Sequence, residues 1–482
     1  DLYVCNYLSP NQLFLNKGDG TFIESAKEWG LDFIDASHTP SFCDYDRDGD
    51  LDLYILTNRW YRPEGFPSEK TIEQGPDGRP RVIEKFERFY DARQTGADQW
   101  TGEGHWESVV VGRPDLLCRN NGAGKFEVAN KAAGITHRGH GLSATWWDWN
   151  GDGWLDLWVG NDFQDADCLY VNRGDGTFVN VVDMAVGHTA WFSMGADFGD
   201  LNADGLPDFL IADMAGSNHF KQKTAMGSMS AFAWFMDNVE PVQLMRNGLF
   251  LNAGNGRFLE GAFLSGLDST DWTWAVRLCD FDHDGLNDAY FQCGMSRNFN
   301  ENDDEELKKK DRKLTQWERY RHLPPLREHN RVFRNLGGMN FENTSKDWGL
   351  DYYGMSYGCA VGDLDQDGAL DIVSVRLDGP VAIYHNTGAD AGNSLTLSFE
   401  GTKSNKQGLG VKAKLFTNHD DETPQLRTLV TSRGYLGSDQ AILHFGLGEA
   451  STAARLELYW PSGLTQIIKN LDAGRHHHIL EG

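Results

Sequence analysis

The chain has no run of about 20 apolar residues, which is the length that a membrane-spanning helix needs. Its seven cysteines include no C-x-x-C pair, so zinc-ribbon and thioredoxin-type sites are excluded. The P-loop, the dinucleotide fingerprint G-x-G-x-x-G and the zinc motif H-E-x-x-H are also absent. The sequence therefore excludes a helical membrane protein and lacks these signatures of nucleotide- or zinc-dependent enzymes.

Positive charge is scarce as well. The chain has 44 lysines and arginines against 71 aspartates and glutamates, which gives a formal net charge of −27. An acidic surface of this kind argues against nucleic acid or an anionic membrane as a partner. For the cysteines we favour free, buried thiols, and one disulfide stays open in an oxidising compartment.

One acidic loop recurs five times, and we number the copies loops 1 to 5. They are D-Y-D-R-D-G-D-L-D from Asp44, D-W-N-G-D-G-W-L-D from Asp148, D-L-N-A-D-G-L-P-D from Asp200, D-F-D-H-D-G-L-N-D from Asp280 and D-L-D-Q-D-G-A-L-D from Asp363. Oxygen atoms from positions 1, 3, 5 and 9 and the carbonyl of position 7 form the ligand set that Ca²⁺ prefers, and the glycine at position 6 allows the sharp bend. The predicted metal ligands are Asp44, Asp46, Asp48, Asp50, Asp52, Asp148, Asn150, Asp152, Trp154, Asp156, Asp200, Asn202, Asp204, Leu206, Asp208, Asp280, Asp282, Asp284, Leu286, Asp288, Asp363, Asp365, Asp367, Ala369 and Asp371.

These loops differ from EF-hands, which need glutamate at position 12 and a helix on each side. A short strand-like run follows every loop instead, so each loop is expected at the tip of a β-hairpin. We predict about five structural Ca²⁺ ions, which would neutralise carboxylates that otherwise repel. The strand-like runs are Leu51–Leu56, Leu157–Val159, Phe209–Ile211, Ala289–Phe291 and Ile372–Val375.

A second signature alternates with the loops, as in N-Q-L-F-L-N-K-G-D-G-T-F from Asn11 and C-L-Y-V-N-R-G-D-G-T-F from Cys168. It is typical of a strand, a glycine-rich turn and a strand. One unit thus supplies about four strands and a loop, and radially stacked units form a β-propeller. Asp1 falls where position 9 of a loop is expected, so we predict that the chain begins in mid-repeat, with a possible sixth loop cut off there. The number of blades stays open between six and seven.

The unit resembles the FG-GAP (VCBS-type) repeat of integrin α-subunit propellers. The C-terminal stretches G-T-K-S-N-K-Q-G-L-G-V from Gly401, G-Y-L-G-S-D from Gly434, H-F-G-L-G from His444 and L-Y-W-P-S-G from Leu458 resemble the ASPIC/UnbV domain. The resemblance implies a calcium-dependent, seven-bladed propeller in an extracellular or periplasmic protein, with a small β domain at its C-terminal end. It implies little about activity.

These patterns divide the chain into a propeller over residues 1–388 and a small β domain over residues 389–482. Insertions at about 59–114, 215–246 and 298–330 interrupt the repeats, and such insertions often carry function. The second contains a methionine and aromatic cluster, which is either a contact surface or packing over a neighbouring blade. The third predicts a helix between Glu305 and Arg321.

Aligning the repeats on the metal loops brings a further set of residues to one mouth of the propeller. Such a ring could stack a sugar or another flat ligand, or it could be packing that leads into the innermost strands. The predicted ring contains His38, His140, His188, Trp191, Met194, Trp272, Trp274 and Tyr357.

The preferred hypothesis is a secreted or surface scaffold protein, stabilised by calcium, that binds a glycan or an extracellular protein and has no assigned catalytic residue. The rival is a propeller enzyme of the lyase or dehydratase type that acts on sugars, with histidines of the ring as acid–base groups. A third hypothesis is a subunit of a larger extracellular assembly.

Overall fold

The computed structural model describes residues 1–62, 64–98, 104–163, 165–224, 233–298, 318, 321–388 and 391–482. Nearly every regular element is a β-strand, which confirms the all-β prediction. In the part of the chain that the structure describes, the helices are single turns or slightly longer. They include Ala26–Trp29, Glu84–Phe86 (a 3₁₀-helix), Asn130–Ala133, Val182–Ala185, His219–Thr224, Ala233–Asn238 and Ala262–Ser265.

Six antiparallel sheets follow one another along the described part of residues 1–388, and we number them in chain order. Sheet 1 consists of Leu2–Val4, Gln12–Asn16 and Phe22–Glu24. Sheet 2 consists of Ser37–Cys43, Asp52–Thr57, Leu116–Asn120 and Phe126–Val128. Sheet 3 consists of Gly141–Trp147, Asp156–Asn161, Cys168–Asn172 and Phe178–Asn180.

Sheets 4 to 6 repeat the same order. Sheet 4 consists of Ala196–Gly199, Asp208–Ile211, Gly248–Asn252 and Phe258–Glu260. Sheet 5 consists of Asp271–Cys279, Asp288–Cys293, Arg331–Asn335 and Phe341–Asn343, with Met214–Ala215 added at its inner edge. Sheet 6 consists of Ser356–Gly362, Asp371–Arg376 and Ala382–Tyr384.

The first strands of sheets 2 to 6 pack against one another in chain order, so the sheets radiate from a common axis as the blades of a β-propeller. Each metal loop joins the first strand of its sheet to the second, at the tip of the inner hairpin. Large aromatic side chains fill the space between neighbouring blades. Trp147 stacks on Phe198 of the next sheet, and Trp149 stacks on Phe258.

The insertions form short elements of their own. The first contains two hairpins, Ile72–Gln74 with Pro80–Val82 and Tyr90–Ala97 with Gly104–Val110. Two-residue strands pair Thr189–Ala190 with Gln243–Leu244 and Glu328–His329 with Tyr353–Gly354. The helix expected between Glu305 and Arg321 falls almost wholly outside the described residues, as does much of the methionine and aromatic cluster.

The C-terminal domain is a sandwich of two sheets around one apolar core. The first sheet consists of Leu443–Gly448, Asn393–Glu400 and Arg475–Leu480. The second consists of Gln425–Thr428, Lys412–Phe416, Thr452–Tyr459 and Thr465–Asp472. Alternating apolar residues in these strands face the core, as expected for sheets with one buried face.

One segment of the C-terminal domain, residues 430–441, enters the propeller axis, and we call it the axial loop. The Ser432 hydroxyl lies near the carbonyls of sheets 2 and 3, and the Gly434 N–H donates to the Ala196 carbonyl of sheet 4 at 2.9 Å. Arg433 pairs with Asp197 at 2.7 Å, and Gln440 N–H donates to the Val361 carbonyl of sheet 6 at 3.1 Å. The axial loop therefore touches the inner strands of these sheets and ties the two domains together.

A buried charge pair and an aromatic side chain fix the axial loop. Arg277 of sheet 5 is fully buried and pairs with Asp439 at 3.3 Å. The ring of Tyr435 lies 4.9 Å from that of Trp274 and 5.4 Å from that of His38. Tyr435 thus fills the centre of the propeller mouth and joins two blades.

We expect Tyr435→Ala to lower the free energy of unfolding by about 3 kcal/mol, because it removes a large buried ring at the domain boundary. Chemical denaturation followed by circular dichroism measures the change. Ile467→Ala is the matched control, since Ile467 is 56% exposed and its truncation should cost at most about 0.5 kcal/mol. Equal effects of the two substitutions would contradict a stabilising axial loop.

Candidate metal centres and the propeller mouth

All five loops share one backbone conformation. Position 4 has a φ of +59° to +76°, and the glycine at position 6 has a φ of +83° to +94°. In loop 1 the glycine is required twice over, because a Cβ on Gly49 would also lie 2.8 Å from the Lys403 carbonyl oxygen. The left-handed residues at positions 4 and 6 bend the chain so that the side chains of positions 1, 3 and 5 face one region.

The aspartate at position 9 braces each loop against its own sheet. In loop 4, the Asp288 carboxylate accepts the N–H of Phe281 at 3.0 Å and the N–H of Asn335 at 2.8 Å. The Asn335 carboxamide in turn donates to the Leu201 carbonyl of loop 3 at 2.9 Å. In loops 1, 2, 3 and 5, the carboxylate at position 9 likewise accepts the N–H of position 2 and the N–H of an asparagine at the end of the third strand. Asp1 accepts the equivalent bond from Asn16 at 2.7 Å, so it occupies the position-9 place of sheet 1.

Several carboxylate oxygens in the loops are buried without a hydrogen-bond partner. They are both oxygens of Asp44 and the Oδ1 atoms of Asp46, Asp148 and Asp282. Asp44 is only 2% exposed. Because an ionised carboxylate without a partner is costly in a protein interior, these oxygens need a cation or a proton. Three acidic groups, Asp44 with Asp46 and Asp48, Asp280 with Asp282 and Asp288, and Asp363 with Asp365 and Asp367, each place three ligand atoms within 4.8 Å of one another. Hard oxygen donors of this kind fit Ca²⁺.

Burial and neighbouring carboxylates shift the titration of these residues. Burial raises the pKa of Asp44 to about 6, with the charges of Asp48 and Asp46 as further causes. Burial likewise raises the pKa of Asp52 and of Asp156 to about 8, against the lowering effect of hydrogen bonds from Asn120 and Asn172 respectively. The loops therefore favour protons when no ion compensates their charge.

The C-terminal domain lies directly over the loops. The Lys412 ammonium is 2.7 Å from the Asp148 carboxylate of loop 2, and the Gly446 N–H donates to Asp280 of loop 4 at 3.1 Å. The Ser394 hydroxyl donates to the Gly368 carbonyl of loop 5 at 2.8 Å. Loop 1 meets Lys403, and loop 3 meets Pro424. The loops therefore form part of the domain interface.

The predicted ring residues lie at the opposite end of the inner strands, and most of them pack on each other. Trp272, Trp274 and Tyr357 form a stack with ring centroids 6.4 Å and 4.9 Å apart. Met194 and Trp191 are buried in the same apolar cluster. His38 contacts Tyr435 of the axial loop, so this part of the mouth is closed by the chain itself.

The two other histidines of the predicted ring lie outside this stack. His188 is buried against Phe250, and its Nε2 atom lies 3.0 Å from Arg246. His140 forms a very short contact with Asp165, which also pairs with Arg93 at 2.5 Å. Whether any of these residues binds a ligand stays a prediction.

A cavity of about 170 Å³ opens beside the stacked tryptophans. Trp272 and Phe220 line it, together with three charged residues that the sequence did not single out. The Lys221 ammonium lies 2.8 Å from Asp271 and 2.5 Å from Glu328. Asp271 has a φ of +70°, which is uncommon for a residue other than glycine.

The two carboxylates of the cavity titrate in opposite directions. Burial acts to raise the pKa of Asp271, but hydrogen bonds from Lys221 and Ser217 hold that pKa below its usual value. Burial, followed by the charge of Asp271, raises the pKa of Glu328. Paired carboxylates with separated pKa values are common at sites of ligand binding or acid–base chemistry, and also occur in structural ion networks.

Family comparisons agree with the repeat and with the C-terminal motifs. Residues 401–482 match the family model "ASPIC and UnbV", and residues 1–55 and 148–211 match the model "FG-GAP-like repeat". The chain carries FG-GAP-like repeats and an ASPIC/UnbV domain. The matched FG-GAP segments contain loops 1, 2 and 3, which confirms the resemblance inferred from the sequence.

Curated relatives of this FG-GAP/ASPIC chain include cartilage acidic protein 1. The human protein is 26% identical over 191 residues, which are 37% of this chain and 29% of that protein. The Xenopus tropicalis protein is 26% identical over 185 residues, or 36% of this chain and 28% of that protein. The matches thus span less than a third of the relatives' length.

Two solved structures align weakly with the FG-GAP/ASPIC chain. The exotype rhamnogalacturonan lyase YesX covers 98% of this chain and 68% of its own, at 13% identity and a TM-score of 0.32. The V. cholerae biofilm matrix protein Bap1 covers 92% of this chain and 60% of its own, at 10% identity and a TM-score of 0.29. Similarities of this size carry no argument about activity. Within the described ranges, no helix is long and apolar enough to cross a bilayer.

The raised pKa values of the loop carboxylates predict an unusual pH dependence. In a chelator the folded state binds more protons than the unfolded state, so the free energy of unfolding falls as pH rises from the unfolded pKa near 3.8 to the folded values. We therefore expect the Tm to fall between pH 6.5 and pH 8 in chelator. Saturating Ca²⁺, which requires deprotonated ligands, should reduce this slope.

Two buried histidines, His38 and His444, do not titrate in this pH window, because burial lowers the pKa of His38 to about 4 and that of His444 to about 3. Three buried carboxyls away from the loops keep part of the slope when calcium is present, since burial raises the pKa of Asp115 and Asp162 to about 7 and of Asp167 to about 8. Differential scanning calorimetry at both pH values measures the difference. A Tm in chelator that rises between pH 6.5 and pH 8 would contradict the assignment.

Proposed function

We propose that this chain is a calcium-stabilised binding and scaffold module of an extracellular or periplasmic protein. The observation that carries the proposal is the set of buried, unpartnered carboxylate oxygens in loops that lie beneath the C-terminal domain. About five Ca²⁺ ions would bind through the oxygen ligands predicted from the sequence, and their role would be structural. Calcium at about millimolar concentration, which is typical outside the cytosol, fills loops that have no special affinity.

Calcium removal is the direct test. Each bound ion at 100 times its Kd contributes about 2.7 kcal/mol, so several ions lost together should lower the Tm by more than about 10 °C. Calorimetry with EDTA, followed by added Ca²⁺, measures the loss and its reversal. Mg²⁺ is the control, because it prefers a smaller octahedral site and keeps its waters.

The same experiment examines the domain interface. Because the C-terminal domain touches all five loops, EDTA should also expose the axial loop to protease. An unchanged melting curve and an unchanged digestion pattern in EDTA would contradict a structural role for calcium.

For the ligand we propose a glycan bound in the cavity beside Trp272. Trp272 and Phe220 give the cavity an apolar wall, and the nearby Lys221 and Glu328 offer a donor and an acceptor for hydroxyl groups. Glu328 has only Lys221 as a side-chain partner among the described contacts, which leaves acceptor capacity for a ligand. The axial loop closes the centre of the propeller mouth, so the cavity beside Trp272 is a better candidate ligand site than the centre.

We expect Trp272→Ala to abolish glycan binding and Glu328→Gln to weaken it at least about tenfold, the cost of a lost charge-assisted hydrogen bond. A glycan array with the calcium-loaded chain identifies the ligand, and titration calorimetry measures the affinity of each variant. Trp106→Ala is the matched control, because Trp106 is exposed on the first insertion. Binding that survives both cavity substitutions would place the ligand elsewhere, and a protein partner or a larger assembly would become the better hypothesis.

An enzyme acting on sugars is the second candidate, and the paired carboxylates favour it. Asp271 and Glu328 contact the same ammonium and differ in the direction of their pKa shifts, which suits an acid and a base. The glycans that bind should then be converted to products that carry new reducing ends or to unsaturated sugars. Turnover that is lost in Glu328→Gln even at saturating glycan would establish the enzyme; binding by the wild-type chain without turnover would establish the scaffold.

A further inference from the structure

The five loops fall into two classes at position 3. Loops 1, 4 and 5 have aspartate there, and loops 2 and 3 have asparagine. A second residue changes together with position 3. In each repeat, an asparagine at the end of the third strand donates its N–H to the aspartate at position 9, and the second residue is the one directly before that asparagine. The aspartate loops have Arg119, Arg334 and His385 at that position, whereas the asparagine loops have Val171 and Leu251. Aspartate thus occurs with a basic residue and asparagine with an aliphatic one in all five repeats.

Each arginine lies across the aspartates at positions 3 and 5 of its own loop. In loop 4, the Arg334 Nε atom is 2.5 Å from Asp282 and an Nη atom is 3.5 Å from Asp284. In loop 1, the Arg119 Nε atom is 2.6 Å from Asp46 and an Nη atom is 3.4 Å from Asp48. The same arrangement of an arginine across the aspartates at positions 3 and 5 therefore occurs in loops 1 and 4. In loop 5, His385 keeps longer distances of 3.5 Å and 3.3 Å to two aspartates.

In loops 2 and 3, the asparagine at position 3 links directly to the aspartate at position 5, without a residue from outside the loop. The Asn202 side-chain N–H₂ donates to the Asp204 carboxylate at 2.9 Å, and its Oδ1 accepts the Asp204 N–H at 3.1 Å. Asn150 repeats both bonds with Asp152. An aspartate at position 3 has no donor to offer and would repel the carboxylate at position 5. The guanidinium supplies a compensating positive charge from outside the loop.

The arginines leave a second oxygen of each carboxylate free. Their Nε atoms form ion pairs with the Oδ2 atoms of Asp46 and Asp282, whose Oδ1 atoms are buried without a hydrogen-bond partner. Loop 4 has four carboxylates and loop 3 has three, so Arg334 brings the net charge of loop 4 to that of loop 3. In loop 4 the net charge therefore equals that of loop 3, and one oxygen of Asp282 stays available for an ion.

We propose that Arg119 and Arg334 are positioning residues for calcium, which hold the aspartates at positions 3 and 5 so that their remaining oxygens face the ion. The inference rests on the calcium role proposed above and adds residues that are not themselves ligands. A guanidinium beside a calcium site has two opposite effects. Its charge repels the ion, and its ion pairs with the aspartates at positions 3 and 5 preorganise the ligands.

The sign of the effect of Arg334→Leu decides between them. Loss of repulsion alone would tighten calcium binding, whereas loss of positioning weakens it. We expect one site to bind Ca²⁺ at least about tenfold more weakly, which corresponds to about 1.4 kcal/mol. Titration calorimetry counts the sites and measures their affinities, and the calcium-dependent shift of the Tm is the second readout. Arg257→Leu is the matched control, since it removes the same charge from an exposed hairpin turn.

Two pairs of substitutions test the coupling. Asp282→Asn added to Arg334→Leu copies the pair found in loop 3 and should restore the lost affinity. In the other direction, Asn202→Asp should weaken loop 3, and Leu251→Arg added to it should restore binding. The pair Asn202→Asp and Leu251→Arg also tests the coupling if Arg334→Leu does not fold, because this pair leaves loop 4 unchanged.

The outcomes separate this inference from the proposed function. Wild-type protein that binds no Ca²⁺ would overturn both. Wild-type protein that binds Ca²⁺, with Arg334→Leu binding equally well or more tightly, would overturn the positioning role and leave the calcium role intact. Weakening in each single variant and recovery in each double variant is the result that the inference predicts.

Discussion

Concentrated carboxylate charge at a domain interface is the constraint on which this structure depends. Five loops bring aspartates together at the ends of the inner strands, and the C-terminal domain covers those ends. Positively charged side chains offset part of this charge, namely Lys412 of the C-terminal domain beside loop 2 and the arginines beside loops 1 and 4. The oxygens that still lack a partner are where the proposed divalent ions would bind, and such ions would support both blade geometry and domain docking.

The two ends of the propeller have different tasks. One end is committed to the loops and to the C-terminal domain, whose axial loop passes inward and carries Tyr435 to the centre of the far mouth. Aromatic packing and Tyr435 close the middle of that mouth, and the cavity beside Trp272 lies next to it. The axial loop therefore makes the ASPIC/UnbV domain part of the propeller's own core, and it moves the candidate ligand site off the axis.

The loops and the propeller follow from the sequence because their signals are local and repeated. Spacing of aspartates within nine residues predicts the hairpin tips, and the alignment of repeats correctly brings Trp272, Trp274 and Tyr357 together. What the sequence could not show depends on contacts between distant segments, such as Lys412 on Asp148 or Tyr435 on His38. The pair of Arg334 with Asp282 did leave a signal, since the two positions change together from repeat to repeat. That signal becomes visible only once the third strand is known to lie beside the loop.

The most direct test of this account is a crystal structure grown in millimolar Ca²⁺, with anomalous scattering used to locate the ions. The account predicts an anomalous peak in each of the five loops, coordinated by positions 1, 3, 5 and 9 and the carbonyl of position 7. Loops without ions under these conditions, with the C-terminal domain still docked on them, would contradict the central claim.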